Sequence, residues 1–494
     1  MSKIIYVPLD ERPCNYIYPQ FICKIGDCNI IELPKKYLGN FKKPADIDAI
    51  WNWLFENIGE ADYGVISMDM LIYGGIVPSR LHHLNSETCK KRIDNIKKLK
   101  EINPKIKLFA FQLITRAPAR NGSVEEPDYY EEHGYNIYKY GYLQDKKDVI
   151  GLEREEANEL IEIENSIPEK FLDDFLKRRK INFENNLYTI DTLEYLDFFV
   201  IPIDDCKPYG YASSERKKIG NYLSRQNKLS KVMMYPGADE IGCTLMARAL
   251  NEINNKSPNV YLDYTSKVGK YSIPAYEDRC ICETLGYHIE AVGATEVFNP
   301  NESDIIICVN TPTTESLSLE SKETYNTVYL EKERNFFSFI KRLKEYSTKN
   351  KVLAVADCAI ANKCDRALMQ FLKENNMLRS IQAFAGWNTS SNTFGTTLAH
   401  AMAVNLKGES QISKEFLSLR YLEDWGYMTI VREKVTKKYM DVYNLHKLYN
   451  QEHYNIVKEE IYRELKKYMD DIVALDFSVE IPWHRMFEIH ITLK

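Results

Sequence analysis

Short apolar runs alternate with longer amphipathic stretches along most of the chain, and each run ends at a turn. That alternation is typical of βα units around a mostly parallel sheet. In the first half it predicts strands at Lys3–Val7, Asn29–Leu33, Tyr63–Met68, Lys107–Leu113, Phe198–Ile203 and Lys231–Tyr235.

A second set of apolar runs follows. It predicts strands at Val260–Tyr264, His288–Val292, Asp304–Val309, Val352–Ala356 and Ile381–Phe384. From about residue 409 the pattern is helical, and the chain ends in an alternating, strand-like segment.

These patterns predict an α/β protein of three parts. Residues 1–255 form a (β/α) barrel-like catalytic domain, residues 256–408 a second, doubly wound α/β domain, and residues 409–494 a helical C-terminal region with a terminal strand. In an alternative arrangement, strands of the second set complete a barrel that the first set begins.

Composition narrows the class of function. The 494 residues carry a net charge of −6, which gives no electrostatic footprint for nucleic acid or for an anionic membrane. No signal peptide and no long apolar span are visible, and the eleven cysteines are scattered, so we expect reduced thiols and a cytoplasmic location. The expected partner is a small carbohydrate-like molecule, and the sequence leaves the oligomeric state open.

The pair Asp204-Asp205 is the sharpest chemical signal, because it directly follows the apolar run Phe198–Ile203. Two adjacent carboxylates in a partly dehydrated site hold their protons unequally, as an acid and its partner base must. We therefore predict that they are catalytic. The alternative is that one Asp caps the next helix and the other is solvated.

Other polar residues follow the remaining predicted strands, where parallel α/β folds bind ligands. Three arginines among them could form a fork for an anion, or could each pair with a neighbouring carboxylate. The two carboxylates of Asp239-Glu240 could instead lie in the first turn of a helix, where acidic residues are favourable. The predicted substrate-binding residues of this group are Asp10, Glu11, Arg12, Asp69, Tyr73, Arg80, Arg116, Asp239 and Glu240.

Trp387 and Asn388 offer an aromatic ring and an amide, which suit stacking against a sugar and bonding its hydroxyls. A helix cap at Thr389 explains the same segment. No cofactor motif is present, and His82-His83 lacks a second cluster of metal ligands. We predict no cofactor and no metal, although the carboxylates could instead hold Mg²⁺ or Mn²⁺.

Five blocks of the sequence belong together as a pattern: Pro8–Pro13, Ser67–Gly75, Asp204–Gly210, Pro236–Glu240 and Gly386–Thr389. In this order they resemble the bacterial DUF4127 family, whose name implies no reaction. The likeness covers nearly the whole chain.

Two segments, Asp204-Asp205 and Trp387-Asn388, also resemble hexosaminidases that use substrate assistance. That resemblance implies that Asp204 orients the N-acetyl group of the substrate and that Asp205 is the general acid and base. The first hypothesis is therefore a glycoside hydrolase-like enzyme acting on an amino sugar or small glycan. The alternatives are a metal-dependent hydrolase or isomerase of a phosphorylated or carboxylated metabolite, and a two-lobed sugar-binding protein.

Overall fold

The computed structural model describes residues 2–314, 332–443, 445, 448, 450–473 and 475–494. These residues form two compact units, and each unit is made of three separate segments of the chain. Unit 1 comprises Met1–Glu11, Asn29–Gly242 and Tyr276–Asp278, and unit 2 comprises Arg12–Cys28, Cys243–Ala275 and Arg279–Lys494. The C-terminal region predicted at residues 409–494 thus belongs to unit 2.

The strands and helices have the following bounds in chain order. The strands are β1 Lys3–Val7, β2 Asn29–Glu32, β3 Tyr63–Ser67, β4 Lys107–Phe111, β5 Phe198–Ile203, β6 Val232–Pro236, β7 Asn259–Tyr264, β8 Thr295–Val297, β9 Ile305–Asn310, β10 Val352–Asp357, β11 Ala383–Ala385, β12 Phe477–Glu480 and β13 His490–Leu493. The helices are α1 Pro13–Tyr16, α2 Tyr18–Ile25, α3 Ile47–Asn57, α4 Met68–Tyr73, α5 Ile76–Leu81, α6 Ser86–Ile102, α7 Tyr130–Ile150, α8 Arg154–Ser166, α9 Glu169–Asp191, α10 Tyr211–Arg225, α11 Ile241–Ile253, α12 Ile281–Ala291, α13 Phe336–Ser347, α14 Arg366–Glu374, α15 Ser390–Lys407, α16 Gln411–Arg420, α17 Arg432–Tyr439 and α18 Gln451–Met469.

Unit 1 is built on a six-stranded sheet with the order β2-β1-β3-β4-β5-β6, and all of its neighbouring strands are parallel. Because β2 and β6 are the two edges, this is an open, doubly wound sheet. The barrel-like domain predicted for residues 1–255 is corrected accordingly. The alternation of strands and helices is the same in both architectures, and only strand pairing distinguishes them.

The segment between β4 and β5 is much longer than an ordinary crossover, because it contains α7, α8 and α9 as well as a loop at residues 112–129. These helices bury a small core of their own, which includes Tyr130, Leu143 and Phe175. Long irregular loops on a rigid scaffold are where function tends to be placed.

Unit 2 is built on a five-stranded parallel sheet with the order β11-β10-β9-β7-β8, and β12 and β13 form a separate antiparallel pair. The segment Tyr421–Val431 is π-helical. The strand predicted at His288–Val292 is wrong, since residues 281–291 form α12. The edge strand is Thr295–Val297 instead.

Both parallel sheets have the strand order of doubly wound folds, in which the chain reverses its winding direction beside the first strand. In unit 1 the reversal lies between β1 and β3, and in unit 2 between β7 and β9. Ligands of such folds bind beyond the carboxyl ends of the strands. A ligand site is therefore expected at that edge of each sheet.

Candidate functional site

The carboxyl edge of the unit 1 sheet carries most of the residues predicted from the sequence. Residues that were predicted to form the site follow five of the six strands within a few positions. These residues are Asp10 and Glu11 after β1, Asp69 after β3, Arg116 after β4, Asp204 and Asp205 after β5, and Asp239 and Glu240 after β6.

Asp204 and Asp205 are held in different environments although they are neighbours in sequence. The Asp204 N–H donates to the carbonyl of Ile114 at 3.1 Å, which extends the pairing of β5 with the end of β4. Its side chain is buried and accepts a 2.6 Å hydrogen bond from Arg80 Nη2. Asp205 has a left-handed backbone with φ of 38°, and 21% of its side chain is exposed. A left-handed aspartate at a strand end is an uncommon conformation that often marks a site.

Two glutamates of the loop before α7 complete an arginine–carboxylate network. Arg116 donates to Glu125 Oε2 and to Glu126 Oε1, both at 2.9 Å, and to Asp205 Oδ2 at 3.0 Å. Arg80 donates to Glu125 Oε2 at 2.8 Å and lies 3.5 Å from Glu126 Oε1. We use the term arginine–carboxylate network for Arg80, Arg116, Glu125, Glu126, Asp204 and Asp205.

Both arginines of the network pair with carboxylates of the protein. Each guanidinium contacts one carboxylate of the Asp pair and shares the two glutamates, and both side chains are largely buried, at 4% and 13% exposure. The predicted fork of three arginines is therefore not formed within unit 1, since Arg12 belongs to unit 2. Charge-assisted contacts of this kind fix orientation as well as energy.

The pKa of Asp205 is raised from its ordinary value of 3.8 to about 6. Burial is the main cause, and the negative charge of Asp204 adds to it, whereas Arg116 and Arg80 act in the opposite direction. A carboxyl with such a pKa exchanges its proton near neutral pH.

A second arginine layer holds the backbone that carries Arg116. Arg179 Nη1 donates to the carbonyls of Thr115 and Arg116, at 2.9 and 3.1 Å. Its other nitrogens bond both oxygens of Glu215, at 2.8 and 3.0 Å. Arg116 is thus presented to the Asp pair by a fixed loop.

Asp69 is fully buried at the start of α4, where β3 has ended and cannot pair with the continuing β4 segment. Its Oδ2 accepts the N–H of Leu113 at 2.9 Å, and the side chain thereby replaces a missing strand partner. Burial raises its pKa to about 7. This value of about 7 already includes a smaller upward contribution from the charge of Asp204 and downward contributions from the hydrogen bond of Leu113 and from Arg80.

Glu240 is a third carboxyl with a raised pKa. It is buried in the turn after β6, where Oε2 accepts the Ala238 N–H at 2.9 Å. Burial raises its pKa to about 8, and the charges of Asp239 and Glu277 act in the same direction. Gly237 has a φ of 151°, and a Cβ at this position would come within 2.1 Å of Glu240 Oε1, so the turn requires glycine.

Two other residues of unit 1 that were predicted to bind substrate, Tyr73 and Glu11, form hydrogen bonds with other groups of the protein. The Tyr73 hydroxyl accepts from Asn185 at 2.8 Å, and its buried ring stacks on His82 at 4.6 Å. Glu11 accepts the Phe41 N–H at 2.6 Å. Asp10 is also buried.

Three predicted residues belong to unit 2. Arg12 lies over the ring of Trp483 at 4.7 Å and 3.9 Å from Glu488. Trp387 is only 4% exposed, and its Nε1 has no hydrogen-bond partner among the described residues. Asn388 has a left-handed φ of 52°.

The cap expected at Thr389 is present, since its side chain accepts the Asn392 N–H at 3.4 Å and begins α15. Asp204 and Asp205 belong to unit 1 and Trp387 to unit 2. The arginine–carboxylate network consists of residues of unit 1 alone.

Unit 2 contains a buried polar network at the carboxyl edge of its own sheet. Asn310 donates to Asp357 at 2.9 Å and to Asp365 at 3.2 Å, and it accepts from Thr265 and from Arg334 at 3.0 and 3.1 Å. Asn310 thus uses both side-chain atoms within the protein. We interpret this network as structural.

Glu125 and Glu126 are the main residues that sequence reasoning missed. They lie in the second half of the irregular segment at residues 112–129, far in sequence from the end of β4. The run Val124-Glu125-Glu126-Pro127-Asp128 is typical of a solvated loop in sequence, whereas Glu126 is 3% exposed in the structure. Only the paired arginines opposite them could have indicated their burial.

Three further findings concern the whole described chain. No group of three or more His, Cys, Asp and Glu side chains in it is placed to hold a metal ion. All eleven cysteines are free. None of the helices that the structure describes has the length and apolar character needed to cross a membrane.

Comparison with known proteins shows the family of the chain. A family model described as "Protein of unknown function (DUF4127)" matches residues 4–492. No curated protein matches the chain. Among solved structures, the carboxyl transferase domain of Rhizobium etli pyruvate carboxylase with 3-bromopyruvate is 10% identical, with a TM-score of 0.16. A structure of that domain with pyruvate is 10% identical, with a TM-score of 0.15. Each alignment covers 96% of this chain, which spans 61% and 62% of the length of those chains.

Proposed function

Because the chain belongs to the DUF4127 family, whose description names no reaction, we propose its function from the site. It is a glycoside hydrolase-like enzyme that acts on an amino sugar or small glycan by carboxylate acid/base catalysis. The observation that carries this proposal is the unequal environment of Asp204 and Asp205.

Asp205 is the general acid and base. Its pKa of about 6 lets it donate a proton to a leaving oxygen and then take one from water at neutral pH. Its side chain is also the most exposed of the arginine–carboxylate network, so it can reach a substrate.

Asp204 is the residue that orients the substrate. Arg80 contacts its Oδ2, which leaves Oδ1 to accept an N–H from the nitrogen substituent of an amino sugar. A carboxylate in that position orients the substituent and stabilises positive charge that develops at the sugar carbon.

Arg80, Arg116 and the two glutamates are positioning residues. They hold the two aspartates in different surroundings, because Arg80 bonds Asp204 and Arg116 bonds Asp205, without requiring contact with the substrate. A two-lobed sugar-binding protein would need polar residues to bind the sugar, but none of them would need a shifted pKa. The raised pKa of Asp205 therefore favours the enzyme over that alternative.

We place the enzyme in the cytoplasm, with a small carbohydrate-like molecule as its substrate. The free thiols support a reducing compartment.

A panel of aryl glycosides that includes an aryl N-acetylglucosaminide tests the proposal. The wild-type chain should release the aryl group, and Asp205→Asn should lower kcat/KM by about 10²-fold or more with folding intact. Asp46→Asn is the matched control, because this exposed carboxyl caps α3, remote in sequence from the site. If no glycoside is cleaved, and the Asn variants at 204 and 205 leave ligand binding unchanged, the proposal fails.

A further inference from the structure

Four tyrosines form a continuous line on the surface of unit 1. Tyr135, Tyr138 and Tyr142 lie along one side of α7, and Tyr209 lies in the loop after β5. The ring centroids are 6.2 Å apart from Tyr135 to Tyr138, 6.1 Å from Tyr138 to Tyr142, and 5.7 Å from Tyr142 to Tyr209. We call these four residues the tyrosine strip.

The tyrosine strip is not part of the core. Tyr135 is 46% exposed, and the other three rings are partly exposed. The inward face of α7 is formed by different residues, including Tyr130, Ile137 and Leu143, all fully buried. The strip therefore presents aromatic surface to solvent along two turns of a helix.

The strip is attached firmly to the loop that carries the catalytic pair. Asp145, buried on α7, accepts the Gly210 N–H at 3.0 Å and pairs with Lys217 at 2.6 Å. Gly141 lets α7 approach Tyr211, since a Cβ at position 141 would lie 2.2 Å from that ring. One end of the line, at Tyr209, thus lies in the same fixed loop as Asp205.

We propose that the tyrosine strip binds successive sugar rings of a glycan chain whose end reaches Asp205. This inference rests on the proposed function and deepens it, because it assigns an extended chain of N-acetylated amino sugars rather than a single sugar as the substrate. The strip supplies subsites beyond the bond that is cleaved.

The chemistry of the strip favours a glycan over other ligands. A phenol ring offers an apolar face for the C–H side of a sugar ring and a hydroxyl for its polar edge. Charge is balanced beside the strip, since Lys139, which lies over Tyr142 at 5.6 Å, is paired with Glu159 at 3.2 Å. A phosphate chain or an acidic peptide would need unpaired cations there.

Calorimetric titration of the full chain with N-acetylglucosamine and with its β-1,4-linked trimer and hexamer tests the inference. In the wild type, affinity should rise with chain length. Tyr135→Ala and Tyr138→Ala should each weaken hexamer binding by about tenfold, a change of about 1.4 kcal/mol, and leave monomer binding unchanged. Tyr138→Phe should keep hexamer affinity, because it keeps the ring.

Tyr188→Ala is the matched control. This partly exposed tyrosine of α9 bonds Asp94 and lies outside the strip, so hexamer affinity should not change. Hexamer binding that is absent, no tighter than monomer binding, or unaffected by both strip substitutions overturns the inference.

The titration and the aryl glycoside assay together separate this inference from the proposed function. If binding depends on chain length but no glycoside is cleaved, the tyrosine strip is a glycan-binding site and the proposed glycoside hydrolase activity is wrong. Cleavage of an aryl glycoside at equal rates by the wild type and the strip variants, with no dependence of binding on length, keeps the enzyme and removes the strip.

Discussion

Replacement of Asp69 by Asn should stabilise the protein, increasingly so as the pH rises from about 4 to about 7. Asp69 is fully buried, and its pKa is about 7 against an ordinary value of 3.8. In the native state the carboxyl keeps its proton up to about pH 7, whereas the unfolded chain loses it near pH 4. The native state thus binds more protons in this window, and its stability falls as the pH rises.

The size of the effect follows from the two pKa values. The difference of about 3 pH units corresponds to about 4 kcal/mol, because each unit is worth about 1.4 kcal/mol. This destabilisation is fully present above about pH 7 and absent below pH 4. Asn has nearly the shape of Asp, and its oxygen can still accept the Leu113 N–H.

Urea unfolding of the wild type and the variant at pH 5, 7 and 8.5 measures the difference in the free energy of unfolding. Asp69→Asn should gain up to about 4 kcal/mol at pH 8.5 and progressively less at lower pH. Asp46→Asn, at an exposed carboxyl that also accepts a backbone N–H, should change stability by less than about 0.5 kcal/mol. An Asp69→Asn variant that is less stable than the wild type at pH 8.5 would refute the reasoning.

Two further substitutions test how the site is held. Gly141→Ala should lower stability by about 1 to 3 kcal/mol, because its Cβ would overlap Tyr211, whereas Gly59→Ala meets no atom within 4 Å and should be nearly neutral; equal melting temperatures for the two variants would contradict this. Arg116→Met should lower the free energy of unfolding by about 3 kcal/mol, because it removes a cation from Glu126, which is 3% exposed; an unchanged urea midpoint at pH 7 would contradict it.

The buried strands could be predicted closely from the sequence. Lys3–Val7 and Phe198–Ile203 have the predicted bounds, because an apolar run between polar turns has few other ways to be buried. His288–Val292 could not be predicted in this way. It is a short apolar stretch, but the buried residues Leu285, His288 and Ile289 recur at helical spacing in α12.

Strand pairing and side-chain partners account for what the sequence could not predict. The same alternation of strands and helices builds an open sheet or a barrel, so the closure of the N-terminal sheet was undetermined. Asp204 and Asp205 could be found because they end a buried strand. The burial of Glu126 depends on Arg80 and Arg116, which are distant in sequence, and no local pattern reports such pairing.

The raised pKa of Asp205 is tested most directly by carboxyl ¹³C NMR of the aspartates, with Asp205→Asn used to assign the Asp205 signal. The account predicts that the signal lost in this variant titrates in the wild type with an apparent pKa of about 6. Titration of Asp205 near the ordinary aspartate value of 3.8 would contradict the account.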